Sequence, residues 1–373
     1  MAASTSKASI KLGFVEEETD LRLLSSHFFP SKVGGKPSWL CLDNIPTPEN
    51  LQCSKCNGPT LLLAQVYAPV EIEHRDDTFH RTVFIFACPN APCCTFGYNG
   101  NFKVFRSQLP VKNDFYSKDP PNESIGDDED MDKYPHAGKF QSLCVVCGVN
   151  GTKKCSQCKK TYYCSKAHQV ADWKAGHKKY CPEIRDDTKA GAGPQQPSVN
   201  LLFKEFELVT EDEELKRGDS SSDNGRSEEE RLAEYQQLMR SQEIKGLEGN
   251  YTEEELETTA VHETEDDQQF LKFKKRIESE PDQVLRYCRG GEPLWVSAHH
   301  KASAEEIPKC LCGAERVFEF QVMPQLLNYL KLDRLGSSLD WGTLCVYTCK
   351  DSCPIGNKYA EEFLWKQDFH SER

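Results

Sequence analysis

RTVFIFACPNAPCC (81–94) is a strand-forming run that ends on cysteines. β-Branched and aromatic residues fill Thr82 to Phe86, and turn-forming Pro89 and Asn90 stop the run after Cys88. The same pattern returns in the second half of the chain as GTLCVYTCKDSC (342–353). Setting Cys88 on Cys349 without a gap puts Thr82 on Thr343, Val83 on Leu344, Ile85 on Val346 and Phe86 on Tyr347. Each run follows a second strand-like stretch and a close cysteine pair. Cys53-x2-Cys56 precedes LLLAQVYAPVEIE (61–73), and Cys310-x-Cys312 precedes ERVFEFQVM (315–323). The repetition predicts one β unit used twice.

At 373 residues the chain exceeds what one core usually organises, so more than one compact unit is expected. Its longest apolar run, VFIFAC (83–88), is too short to cross a bilayer, and no secretory pattern opens the sequence. A soluble, intracellular protein of cytoplasm and nucleus is the expectation, with no membrane partner. Eighteen cysteines in that setting point to metal rather than disulfides, because they cluster closely and sit beside histidines.

Charge is distributed unevenly. The net value is −13, yet His136 to Pro182 holds nine lysines and one acid, Asp172, so with +8 on this island the rest carries −21. An acidic body favours basic partners and repels nucleic acid, so no direct nucleic-acid binding is expected. Residues 118–135 and 183–267 read as acidic, flexible linkers, poor in residues to bury. Within the second, Leu232, Tyr235, Leu238 and Met239 repeat at amphipathic-helix spacing. Phe270, Phe273 and Ile277 do the same just beyond it, before Pro281. The expected organisation is an N-terminal β-rich half (1–117), the first linker, a small metal domain (136–182), the second linker, and a C-terminal β-rich half (268–373). The fold class is α+β, β-rich, with the two halves forming one body.

The basic island carries eight ligand candidates: Cys144, Cys147, Cys155, Cys158, Cys164, His168, His177 and Cys181. Two tetrahedral zinc sites need eight ligands, and spacing alone allows either sequential or interleaved pairing. So few residues cannot bury enough apolar surface to fold unaided, so metal must contribute the folding free energy. Two further four-cysteine sets, Cys53, Cys56, Cys88 and Cys93, and Cys310, Cys312, Cys349 and Cys353, stand as additional metal candidates at strand ends, bringing the expected zinc to as many as four ions. Closed four-ligand sites leave no position for a catalytic water, and no phosphate-binding, dinucleotide or hydrolase signature is present, so no enzyme is expected.

The ligand spacing of the island resembles a MYND zinc finger. That resemblance implies interleaving, with Cys144, Cys147, Cys164 and His168 on one zinc and Cys155, Cys158, His177 and Cys181 on the other. FPSKVGGKPSWL (29–40), DQVLRYCRGGEPLW (282–295), CGAERVFEFQVMPQLLNYL (312–330) and YAEEFLWKQDF (359–369) together resemble the programmed cell death protein 2 family over nearly the whole chain. The resemblance implies a dedicated chaperone. Its client would be a newly made basic protein of the small (40S) ribosomal subunit, the counterpart of bacterial small-subunit protein five, which it escorts to the pre-ribosome. The alternative implied by the finger is a transcriptional adaptor that binds proline-rich nuclear regulators. For a client, an open sheet edge or a cleft between the halves is expected, with WVSAHH (295–300) and FEFQVMPQLL (318–327) as candidate linings, although burial in the core is the expected role of most of their residues.

Overall fold

A computed structural model describes residues 9–126, 128–185, 199–214, 264–332 and 339–369. Ten antiparallel strands close into one barrel. They are β1 (Lys11–Glu16), β2 (Lys32–Val33), β3 (Leu61–Tyr67), β4 (His80–Ala87), β5 (Phe102–Leu109), β8 (Phe206–Asp212), β9 (Leu285–Tyr287), β10 (Arg316–Val322), β11 (Thr343–Cys349) and β12 (Tyr359–Gln367). Two short strands, β6 (Lys153–Lys154) and β7 (Tyr162–Tyr163), pair separately in the basic island. The order around the barrel is β1-β8-β2-β3-β4-β5-β12-β11-β10-β9.

Strand β4 is buried along its whole length, which explains its continuous apolar run: both of its faces are covered. Trp39 lies on one side of it, with ring centroids 5.4 Å from Phe84 and 5.8 Å from Phe86. The two halves of the barrel meet where β5 pairs with β12, from Tyr359 opposite Ser107 to Glu362 opposite Val104. Closure on the far side uses β1 and β8. Strand β8 lies inside the stretch 183–267 expected to be a flexible linker. Its alternating Phe206 and Leu208 reach the common core, which is what recruits an otherwise acidic segment into the sheet.

Closure also removes the expected client edge, since every barrel strand has a neighbour on both sides. No cleft separates the halves at the seam, where β5 and β12 are hydrogen-bonded directly. Val296 and Ser297 of WVSAHH are buried, as are Phe318, Phe320 and Met323 of FEFQVMPQLL. The second segment is core, whereas WVSAHH is buried only at those two residues and exposes His299 and His300.

Outside the island, the described α-helices are α3 (Glu265–Ile277) and the one-turn α4 (Leu326–Tyr329). The first begins with a capping box between Thr264 and Asp267 and buries Phe273 and Ile277, two of the residues whose spacing predicted it. The amphipathic stretch at Leu232 to Met239 lies outside the described residues. None of the described helices is long and apolar enough to cross a membrane.

The barrel interior holds charge. Arg81 of β4 reaches across to Glu319 of β10 in a two-pronged ion pair, 2.5 and 2.7 Å, with both side chains fully buried. Thr348 and Tyr287 donate hydroxyl hydrogen bonds to the same carboxylate. Arg106 of β5 pairs with Glu362 of β12 at 2.7 Å, and Arg316 of β10 meets that carboxylate's second oxygen at 2.8 Å. Strands from both halves are thereby pinned to one another.

The island is docked on the barrel rather than hung from flexible tethers. Trp39 donates its indole N–H to the Gly148 carbonyl at 2.9 Å, and the Gln141 amide bonds the Asp43 carbonyl. Val146 and Val149 join the same core cluster as Leu51 and Phe84. Gly148 has a left-handed φ of 72°, and a Cβ there would press on Lys36, so glycine is what this close approach requires. The first acidic linker is held as well: Arg22 bonds the Gly126 carbonyl at 2.8 Å, and His27 stacks on Tyr134 at 4.4 Å.

Candidate metal centres

Four cysteine and histidine tetrads form in the described residues, each with all its ligand atoms within 4.8 Å of one another. Two lie in the island and two at the knuckles of the barrel. Four ligands about 2.3 Å from one zinc in a tetrahedron lie roughly 3.8 Å apart along each edge. The contacts within the tetrads run from 3.2 Å, for Cys164 Sγ to His168 Nδ1, to 3.8 Å, for Cys155 to Cys181. A disulfide would draw two sulfurs to about 2.05 Å. None of the eighteen cysteines forms a disulfide.

In the island the pairing is interleaved. Cys144, Cys147, Cys164 and His168 converge on one point, and Cys155, Cys158, His177 and Cys181 on another. Two knuckles and two helices build this. Cys144 and Cys147 flank a tight turn closed by Gly148 N–H to the Cys144 carbonyl, and the β6–β7 hairpin carries Cys155 and Cys158 on its turn. Helix α1 (Lys166–Asp172), capped by Ser165, sets His168 one turn beyond Cys164. A kinked turn at Trp173–His177 leads into α2 (Lys178–Arg185), which brings His177 and Cys181 back.

The tetrads are chemically matched to a dication. Hydrogen bonds from Cys147 and Cys164 hold the Cys144 thiol far below its ordinary value, while burial pushes Cys147 well above. A doubly charged ion is what lets all three ionise together. Lys36 of the barrel faces this centre: burial lowers its pKa, and the Cys144 and Cys147 thiols oppose that.

Asp172, the island's one acid, is buried. It accepts from Tyr163 Oη at 2.8 Å, and its carboxylate is 4.0 Å from His177 Nδ1, while His177 Nε2 points at Cys158. The carboxylate lies beside the histidine, within ion-pair distance of its outer ring nitrogen rather than hydrogen-bonded to it. Sequence reading counted it only as charge. Its position eleven residues after Thr161, the threonine that bonds Cys158, gave no cue, whereas its being the lone acid among nine lysines could have. With Asp172 inside, all nine lysines are exposed and no carboxylate of the island faces solvent.

At the barrel knuckles the geometry is similar. Cys56 lies 3.7 Å from Cys88; Cys310 is 3.7 Å from Cys353, and Cys312 is 3.7 Å from Cys349. Cys94, which competes with Cys93 in sequence, turns away to bond the Asp340 carbonyl. The Ala314 N–H lowers the exposed Cys312 thiol to about 7. Cys41 and Cys288 join no tetrad.

Comparison with known proteins follows this architecture. Residues 9–123 match the programmed cell death protein 2 N-terminal domain, residues 267–368 the C-terminal putative domain, and residues 144–181 the MYND finger. A protein of Bos taurus called programmed cell death protein 2 is 46% identical over 366 residues, which is 98% of each chain. The chain belongs to the programmed cell death protein 2 family. The mouse member is 44% identical over 98% of each chain. A fission-yeast relative, called probable 20S rRNA accumulation protein 4, is 24% identical across 85% of this chain and 87% of its own. No solved structure matches. The MYND finger of this family member is a zinc-binding domain, and its barrel tetrads are groups that could hold zinc as well.

Proposed function

We propose that this protein is a dedicated chaperone in ribosome biogenesis. It captures a newly made, basic protein of the small ribosomal subunit, the counterpart of bacterial small-subunit protein five, and carries it through cytoplasm and nucleus to the pre-ribosome. The observation that carries the reading is the near full-length kinship with the fission-yeast protein named for 20S rRNA accumulation. The charge supports it: the chain outside the finger carries −21, enough to neutralise a basic client and compete with premature RNA contacts. The protein acts by binding rather than turnover. Since the barrel is closed, the client is met by outer surface and acidic segments, not by strand addition.

We also read the barrel as one β unit used twice. Strand order runs β2-β3-β4-β5 and then β12-β11-β10-β9, mirrored about the β5–β12 seam. A register shift falls between Leu62 and Ala64 against β4, and another between Phe318 and Phe320 against β11.

The test is affinity capture of the full-length protein from cells pulse-labelled for new synthesis, followed by mass spectrometry. One newly made basic protein of the small subunit should be enriched. Recovery of only mature subunits, or of no ribosomal protein, would remove the reading.

A further inference from the structure

We infer that the two barrel tetrads are structural zinc sites that clasp the halves of the barrel together, one at each end of the β5–β12 seam. The assignment does not depend on the client.

Each tetrad is built by one half, yet the loop that follows or contains its last ligand is held by the other. In the C-terminal tetrad, Cys349 and Cys353 bracket a loop gripped by N-terminal side chains. Arg75 donates to the carbonyls of Asp351 and Ser352, at 2.9 and 2.8 Å. Gln108 of β5 bonds the Ser352 and Cys353 carbonyls. Arg106, buried beside it, donates to the Cys353 carbonyl at 3.3 Å and to its sulfur at 3.5 Å. A guanidinium donated to a ligand sulfur favours the thiolate that zinc needs.

The N-terminal tetrad shows the reciprocal arrangement. The loop leaving Cys93 is held by C-terminal side chains: Lys366 of β12, itself buried, donates to the Thr95 carbonyl at 3.0 Å, and Asp368 accepts the Gly97 N–H at 2.8 Å. Asn99 accepts the Lys366 N–H at 2.7 Å. Because β5 and β12 are antiparallel, these grips sit at opposite ends of one seam. Direct strand pairing there spans four residues of each strand, Val104 to Ser107 and Tyr359 to Glu362, so the loop contacts extend a short pairing at both of its ends. Metal fixes each loop's shape, and the other half reads that shape.

Elemental analysis and hydrogen–deuterium exchange of the intact protein test this. The wild type should carry four zinc ions, one for each tetrad. Cys56→Ser and Cys312→Ser, both at exposed ligands, should each carry one fewer. Exchange should accelerate at least tenfold where the lost site sits: around residues 95–104 and 365–367 for the first, and around 106–109 and 351–361 for the second. Arg106→Gln keeps all four ligands, so it should retain zinc at rest but release one ion faster to a chelator. Two zinc ions in the wild type would overturn the assignment. Loss of an ion with unchanged exchange at the seam, or chelator release unchanged in Arg106→Gln, would overturn the clasp.

Discussion

Cys164→Ser is expected to cost the protein one finger zinc and to open the finger to protease between residues 136 and 182. Cys164 shares its tetrad with Cys144, Cys147 and His168, whose knuckle also carries the Gly148 carbonyl that receives the Trp39 indole. Structural zinc supplies folding free energy on the order of 10 kcal/mol to a domain this small. The interleaved pairing spreads the damage, because Cys164 lies in sequence between the two ligand pairs of the other tetrad. Limited proteolysis and elemental analysis check it. Because Val146 and Val149 belong to the barrel's own core cluster, thermal stability of the whole chain should fall too. A variant that keeps its zinc and resists protease would show that three ligands suffice.

Glu319→Ala should destabilise the barrel by about 3–5 kcal/mol, because it strands the Arg81 guanidinium in the interior. The pair joins strands 238 positions apart in the chain. Denaturant unfolding gives the number, and the double replacement Arg81→Met with Glu319→Leu should recover much of it, since a buried pair exchanged for apolar packing is often tolerated. The same carboxyl sets a pH dependence. Burial pushes its pKa up, but Arg81 and the hydrogen bonds outweigh that and hold it below the ordinary carboxylate range. Its contribution is therefore complete above about pH 4.5 and is lost as pH falls through the lower folded value. Wild-type protein should lose this part of its acid sensitivity in the double variant.

The readability of the sequence differed by element. The finger ligands stand out because metal fixes their identity and spacing, and β4 and β11 because strands covered on both faces are continuously apolar. Strands β5 and β12 carry Arg106, Glu362 and Lys366 inward, so the polar residues that join the halves disguise the strands themselves. β8 hides in an acidic segment for a similar reason, as only Phe206 and Leu208 of its seven residues are buried. Barrel closure depends on pairings between residues up to hundreds of positions apart, which no local pattern encodes. Docking of the finger likewise uses Trp39, whose partner is a backbone carbonyl, together with Val146 and Val149 in the shared core.

The most direct test of the chaperone account uses a cell-free translation system that makes a single protein, the eukaryotic counterpart of bacterial small-subunit protein five. With the purified full-length chain present during synthesis, the product should stay in the supernatant and elute with the chain at a larger size, while an unrelated acidic protein of equal charge leaves it to precipitate. If the product precipitates equally in both, or is kept soluble equally by both, the account fails.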